Sequence, residues 1–154
     1  MDLSSILKPE AVKVVTSASS KKRLLQEFGD LAASAYALKA SYVVEALQER
    51  ENLGPTGVGH GVALPHARLE SIESVVGAFI LLEKPVDFNA VDRQPVDIAF
   101  ALFAPEEAGV DHLKALAQVS RRLRESAICA KLRANQDAGT LFTILTETDK
   151  VQAA

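Results

Sequence analysis

The sequence predicts an α/β fold: a single-domain sandwich with a small mixed β-sheet flanked by helices on both faces. Three observations predict it. Segments 74–83 and 96–103 are almost continuously apolar, as strands are when both faces are covered. Apolar residues at helical spacing recur on either side of these segments. Helices precede, interrupt and follow the strands without strict βαβ alternation, which favours mixed strand directions over a Rossmann sheet.

Size and composition narrow the function classes. A chain of 154 residues fits one domain, residues 1–154, and 48% apolar residues supply its core. Seventeen basic against 20 acidic residues leave a net charge of −3, with no basic surface for nucleic acid or an anionic membrane. No apolar run approaches the ~18 residues of a membrane span. The start, Met-Asp-Leu-Ser-Ser, lacks the basic and apolar segments of a signal peptide. Cys129 is the single cysteine, so no internal disulfide forms. These features read as a soluble cytoplasmic protein.

The elements follow in order. Residues 11–15 read as a first strand. Ser19 and Ser20 are helix caps, and Leu24, Leu25, Phe28, Leu31, Ala32 and Ala35 continue as a helical stripe. A second helix runs over 39–50 with Val43, Ala46 and Leu47 inward, and Gly54-Pro55 stops it. Val62, Ala63 and Leu64 read as a short buried strand. The strand at 74–83 ends in a turn at Glu83-Lys84-Pro85, and the strand at 96–103 is closed by Pro105. After a loop at 106–109, a helix from Asp111 places Leu113, Leu116, Ala117, Ser120 and Leu123 on one face, with Arg121, Arg122 and Arg124 outside. Two short helices, 127–134 and 138–146, follow, the second capped by Asp137. The last few residues read as loose.

The chemistry concentrates at Gly57-Val58-Gly59-His60-Gly61-Val62-Ala63-Leu64-Pro65-His66. Alternate glycines leave backbone N–H groups open to close approach, as an anion requires, and make Thr56, Gly57 and Gly59 candidate phosphate-binding positions. Pro65 fixes the chain direction just before His66. A neutral imidazole held this way has one nitrogen free to attack phosphorus while the other donates to a fixed acceptor. The alternative for His66 is a turn histidine bonded to backbone. Arg50 ends the second helix, where it either complements the helix dipole or turns a guanidinium toward phosphate. His112 lies in the first helical turn after Asp111, at the edge of the buried face. It is either a donor to an anion near His66 or a capping-turn residue. His60-x5-His66 is not a compact metal-ligand spacing, so no metal is expected. There is no dinucleotide fingerprint, nucleotide P-loop or Gly-x-Ser-x-Gly elbow, and no cofactor is implied.

Several separated motifs give the chain a resemblance. They are Ser20-Lys21-Lys22-Arg23-Leu24-Leu25, Glu49-Arg50-Glu51-Asn52-Leu53-Gly54-Pro55-Thr56-Gly57-Val58-Gly59, Val62-Ala63-Leu64-Pro65-His66, Pro85-Val86-Asp87-Phe88 with Asn89-Ala90, Gln94-Pro95-Val96-Asp97, and Asp111-His112-Leu113-Lys114-Ala115-Leu116-Ala117. In this order they resemble the type-2 enzyme IIA domains of the bacterial phosphotransferase system, and among them the nitrogen-regulatory branch. The resemblance implies a mixed sheet flanked by helices, with His66 as phosphoryl acceptor and Arg50 and His112 as its active-site partners. It implies a small histidine-type phosphocarrier as donor, drawing ultimately on phosphoenolpyruvate. His60 stands where asparagine is frequent in that family, and Pro55 where serine is. The nitrogen branch implies regulation of target proteins, such as transporters or sensor kinases, by phosphorylation state. The alternative is a sugar-specific component of the fructose/mannitol type that passes phosphate to a IIB domain.

Overall fold

The computed structural model describes residues 2–147. After a short 3-10 turn at Leu3–Ser5 come β1 (Leu7–Val15), α1 (Lys21–Tyr36), α2 (Ala40–Leu53), β2 (Gly57–Gly59), β3 (Val62–Ala63) and β4 (His66–Leu69). Then follow β5 (Val76–Val86), β6 (Val96–Pro105), α3 (Val110–Arg124), α4 (Ser126–Arg133) and α5 (Ala138–Thr146). The expectation of a loose C-terminus falls outside the described residues.

The strands form one mixed sheet in the order β1-β5-β6-β3-β2, with β4 also paired to β6. β5 and β6 are antiparallel, whereas β1 runs parallel to β5. Successive residues of β5 and β6 are buried, so both faces of the sheet centre are covered. α1 and α2 pack together, α1 against β1 and α2 against β4. α3, α4 and α5 form a second group packed against β6, β5 and β1 respectively. Phe28, Phe79, Phe88, Phe100 and Phe103 are fully enclosed between these layers.

Local chemistry explains the boundaries. Ser20 Oγ accepts the Arg23 amide and caps α1, and Asp137 does the same for α5 through Thr140. α1 ends at Ala37, which takes the left-handed conformation usual just past a helix. The inward stripe of α1 is the expected one, with Leu24, Leu25, Phe28, Leu31 and Ala32 buried.

Three sequence expectations need correction. The turn at Glu83-Lys84-Pro85 is strand: β5 continues to Val86, which pairs with Val96. A register irregularity between Leu81 and Val86 accommodates Pro85, which has no N–H to donate to the ladder. Residues 66–69, left unassigned as strand, form β4. The third correction concerns α3, whose buried residues are His112, Ala115, Val119, Arg122 and Leu123, while Leu113 is 64% exposed. The leucine stripe therefore misplaces the face by about one residue. Small side chains at Ala115 and Val119 let the helix approach β6. Arg122 turns inward to donate from Nη2 to the Ile144 carbonyl at 2.7 Å. That carbonyl lies in the last turn of α5, where no backbone N–H of the helix is left to bond it.

Candidate functional site

The site is built on an interrupted strand. β3 and β4 lie end to end along the same edge of β6, both parallel to it. Val62 pairs with Ile98, Ala63 with Ala99 and His66 with Leu102, so the register is the same on either side of the interruption. Leu64 and Pro65 occupy the break. Pro65 is buried and its carbonyl accepts the Leu102 amide at 2.9 Å. The Leu64 carbonyl lies 2.9 Å from His66 Nδ1. A carbonyl only accepts, so Nδ1 carries the proton and donates it. His66 Nε2 is therefore the nitrogen with the free electron pair.

That nitrogen is met by Arg50. The Arg50 Nε–H donates to His66 Nε2 at 3.2 Å, and Nη1 donates to the Gly54 carbonyl at 2.9 Å. The second bond sits at the C-terminal end of α2, where a cation is favoured. Arg50 thus both closes its helix and reaches the imidazole. His112 completes the cluster. Its ring lies 5.6 Å from that of His66, centroid to centroid and edge-on. It is 6% exposed, in the middle of the buried face of α3 and not at its edge. Its Nε2 is buried without a hydrogen-bond partner among the described residues.

Burial pushes both imidazoles below the ordinary histidine range. For His66 the Arg50 charge adds to this, while the Leu64 carbonyl and the Glu51 charge oppose it. For His112 the charges of His66 and Arg68 add to it. Both rings are accordingly neutral at neutral pH, the state in which an imidazole is a nucleophile.

Two further residues escaped the sequence reading. Glu51 is buried and accepts from the Thr56 hydroxyl and, at 3.3 Å, from the Thr56 amide. Its Oε2 lies 2.6 Å from Lys21 Nζ. Lys21 Nζ also stands 4.7 Å from the centroid of the Phe88 ring. This network ties the start of α1, the end of α2 and the approach to β2 into one unit. The signal was present: Val43, Leu47 and Glu51 form an i, i+4, i+8 stripe that puts a carboxylate in a core position. The second residue is Arg68, two residues beyond His66 on β4 and hence on the same face of the strand. Its Nη1 donates to the Glu106 carbonyl at 2.7 Å.

The glycine-rich segment proves to be a β-hairpin. β2 and β3 are joined by His60-Gly61, with positive φ at both residues, as a tight two-residue hairpin turn requires. Gly57 is glycine because a Cβ would meet Ala90 at 2.8 Å, and its carbonyl accepts the Val91 amide. Gly59 sits in the ladder opposite Val62, and the His60 amide donates to Asp92 Oδ2. The open row of amides expected from the alternating glycines is thus largely replaced by internal pairing. The His60 ring is exposed on the turn. Among the described residues no group of three or more His, Cys, Asp or Glu is placed to hold a metal.

A neutral imidazole with one nitrogen pinned and the other facing a guanidinium is a nucleophile beside an anion-binding fork. Chemically, such an arrangement is suited to group transfer, in which an imidazole takes an acyl or phosphoryl group. A family model described as "Phosphoenolpyruvate-dependent sugar phosphotransferase system, EIIA 2" matches residues 5–148. The chain belongs to this family and is a IIA phosphotransfer component. It is 45% identical over 145 residues to a nitrogen regulatory protein of Bradyrhizobium diazoefficiens, covering 94% of this chain and 95% of that one. A nitrogen regulatory protein of Escherichia coli (strain K12) is 41% identical over 150 residues, 97% of this chain and 92% of its own length. Among solved structures, the nitrogen regulatory protein IIA-Ntr from Neisseria meningitidis superposes with a TM-score of 0.84 at 37% identity. The match covers 92% of this chain and 97% of that one. None of the described helices is long and apolar enough to cross a membrane.

Proposed function

We propose that this protein is a cytoplasmic, single-domain regulatory phosphoryl carrier of the nitrogen-type phosphotransferase system, with His66 as the acceptor. The observation that carries the assignment is the pair of hydrogen bonds on one ring: Nδ1–H to the Leu64 carbonyl, and Arg50 Nε–H to Nε2. The Nε2 electron pair attacks the phosphorus of a phosphohistidine on a histidine-type phosphocarrier. The donor's P–N bond breaks and its electron pair returns to the donor imidazole. Phosphoryl transfer asks of the protein mainly in-line positioning and charge stabilisation. As the new bond forms, the His66 ring becomes cationic, and the Leu64 carbonyl accepts from a more acidic N–H. Arg50 exchanges its bond to Nε2 for one to a phosphoryl oxygen. His112 Nε2, protonated, supplies a second donor from a buried position that otherwise leaves it unpaired. Thr56, Gly57 and Gly59 act by holding the hairpin that leads into β4, and no metal or cofactor takes part.

Phosphorylation adds about −1.5 to −2 of charge to this surface, by analogy with other phosphorylated side chains. Leu53, on the same helix as Arg50, and Val110 and Leu113, beside His112, are exposed apolar residues. A new charge next to an apolar rim is a change that a target protein, such as a transporter or a sensor kinase, can read.

The test is intact mass after incubation with phosphoenolpyruvate, enzyme I and a histidine-type carrier, with His66→Ala alongside. The expected result is one acid-labile phosphoryl addition, absent from the variant. Labelling that survives in the variant overturns the acceptor. Efficient onward transfer to a IIB domain would favour the sugar-specific alternative.

A further inference from the structure

A cleft of about 700 Å³ lies between the β2–β3 hairpin and the α3–α4 corner. None of Arg50, His66 and His112 lines it. The volume falls within the ~300–1,000 Å³ of small-molecule sites, and so does the character of the walls. Val58, Val62, Leu64, Leu123 and Cys129 give an apolar lining. Ser120, Arg124, Ser126 and Arg133 bring polar groups to it.

The charges in the cleft do not cancel. Arg133 is spoken for: it donates to both carboxylate oxygens of Asp97 at 2.9 and 3.0 Å, and to the His60 carbonyl at 2.8 Å. It thereby fastens the hairpin that forms one wall. Arg124, by contrast, donates only to the Ser120 hydroxyl, at 3.2 Å, and has no carboxylate partner among the described residues. One guanidinium with spare donors thus faces a lined, half-enclosed apolar space. We propose that this cleft is a binding site for a small organic anion, a carboxylate on a short apolar body, with Arg124 and Ser126 holding the head and the Val62–Leu64 wall the body.

The position of the cleft gives such a ligand a consequence. Leu64 lines the cleft, and its carbonyl accepts from His66 Nδ1. Any shift of this residue on filling the cleft alters the bond that fixes the His66 tautomer. The site therefore acts as an effector site for the imidazole, whether or not that imidazole is the phosphoryl acceptor.

The experiment is a titration of the isotopically labelled full chain followed by backbone amide and imidazole NMR signals. The probe is hexanoate, with acetate (the charge without the body) and hexan-1-ol (the body without the charge) as comparisons. Saturable shifts at Leu64, Ser120, Arg124 and Cys129, with the His66 ring signals moving at the same midpoint, are expected for hexanoate. Acetate and hexan-1-ol bind more weakly. Arg124→Gln, at an exposed position, weakens hexanoate about tenfold or more and leaves hexan-1-ol unchanged. Absence of saturable shifts with hexanoate overturns the site. Equal binding of hexan-1-ol, or indifference to Arg124→Gln, overturns the anion assignment. Cleft shifts without any response of the His66 ring overturn the effector role.

Discussion

His60 and His66 sit in the same glycine-rich stretch, yet their surroundings have almost nothing in common. His60 occupies the tip of a hairpin. Its backbone is held by Asp92 and Arg133, its φ is positive, and its ring is exposed. His66 opens a strand. Its ring is half-buried, and both nitrogens are engaged, one by a backbone carbonyl and one by a guanidinium. The difference teaches that nearby glycines do not make an imidazole reactive. Reactivity comes from fixing the tautomer and supplying a cation to the free nitrogen, and only His66 has both. The glycines serve the neighbouring hairpin, which stiffens the approach.

The sharpest way to break this comparison is to exchange the roles by mutation. His66→Ala abolishes phosphoryl uptake while His60→Asn leaves it near the wild-type rate, as read by intact mass over time. Loss of uptake in His60→Asn would mean that the hairpin histidine is part of the chemistry. The next largest effect is on folding. Glu51→Ala strands Lys21 beside Phe88 and leaves Thr56 without its acceptor, and it lowers stability by about 3–5 kcal/mol. Denaturant unfolding measures it, and Glu51→Gln, which keeps an acceptor for Thr56, loses less.

Arg50→Ala tests the cation at His66. It slows single-turnover transfer about 10²–10³-fold, the usual effect of removing one preorganised donor. Its cost in stability stays below about 1 kcal/mol, the scale of a cation at a helix end. If stability falls and the rate is kept, Arg50 serves only its helix. Within the hairpin, Gly61→Ala forces a side chain onto a positive-φ residue, with its Cβ 2.6 Å from Arg133 Nη2. It costs about 1–3 kcal/mol in thermal unfolding, and the rate at His66 changes little at temperatures where the fold is intact.

The smallest effect is on pH dependence, and its sign is set by burial. His66 is held below its ordinary value, so the neutral ring persists as pH falls through 6.5. Transfer keeps most of its rate at that pH and declines below it, at most tenfold per unit. Stability moves the same way. The unfolded chain binds protons at His66 and His112 first, near pH 6.5, so the folded state loses ground as pH drops below that point. A rate that already halves above pH 7 would show that His66 is not shielded from solvent in this way.

Much of this was legible in the sequence because burial leaves a periodic trace. The stripe of α1, the two apolar central strands and the caps at Ser20 and Asp137 could all be read from local spacing. The cluster of Arg50, His66 and His112 was legible as candidates, though only tertiary packing brings three separate segments together. The failures share a cause, which is that local pattern does not report what an element packs against. On α3 the leucines suggested one face, but proximity to β6 selected Ala115 and Val119, and Arg122 found a carbonyl on α5. At Pro85 a breaker of local ladders was absorbed by an irregular register. Glu51 went unnoticed because its partners, Lys21 and Thr56, come from two other parts of the chain, although its place on the stripe below Leu47 was visible.

The pairing of His66 with Leu102 sets an order of events during synthesis. The strand that carries the imidazole has no ladder partner on its β6 side until β6 has left the ribosome, and His112 emerges later still. A chain ending before β6 holds the hairpin and Arg50 but lacks the strand to which the backbone of His66 is paired. The ring of His66 thus acquires its full set of neighbours only after both β6 and the start of α3 have been made, well after the segment that carries it.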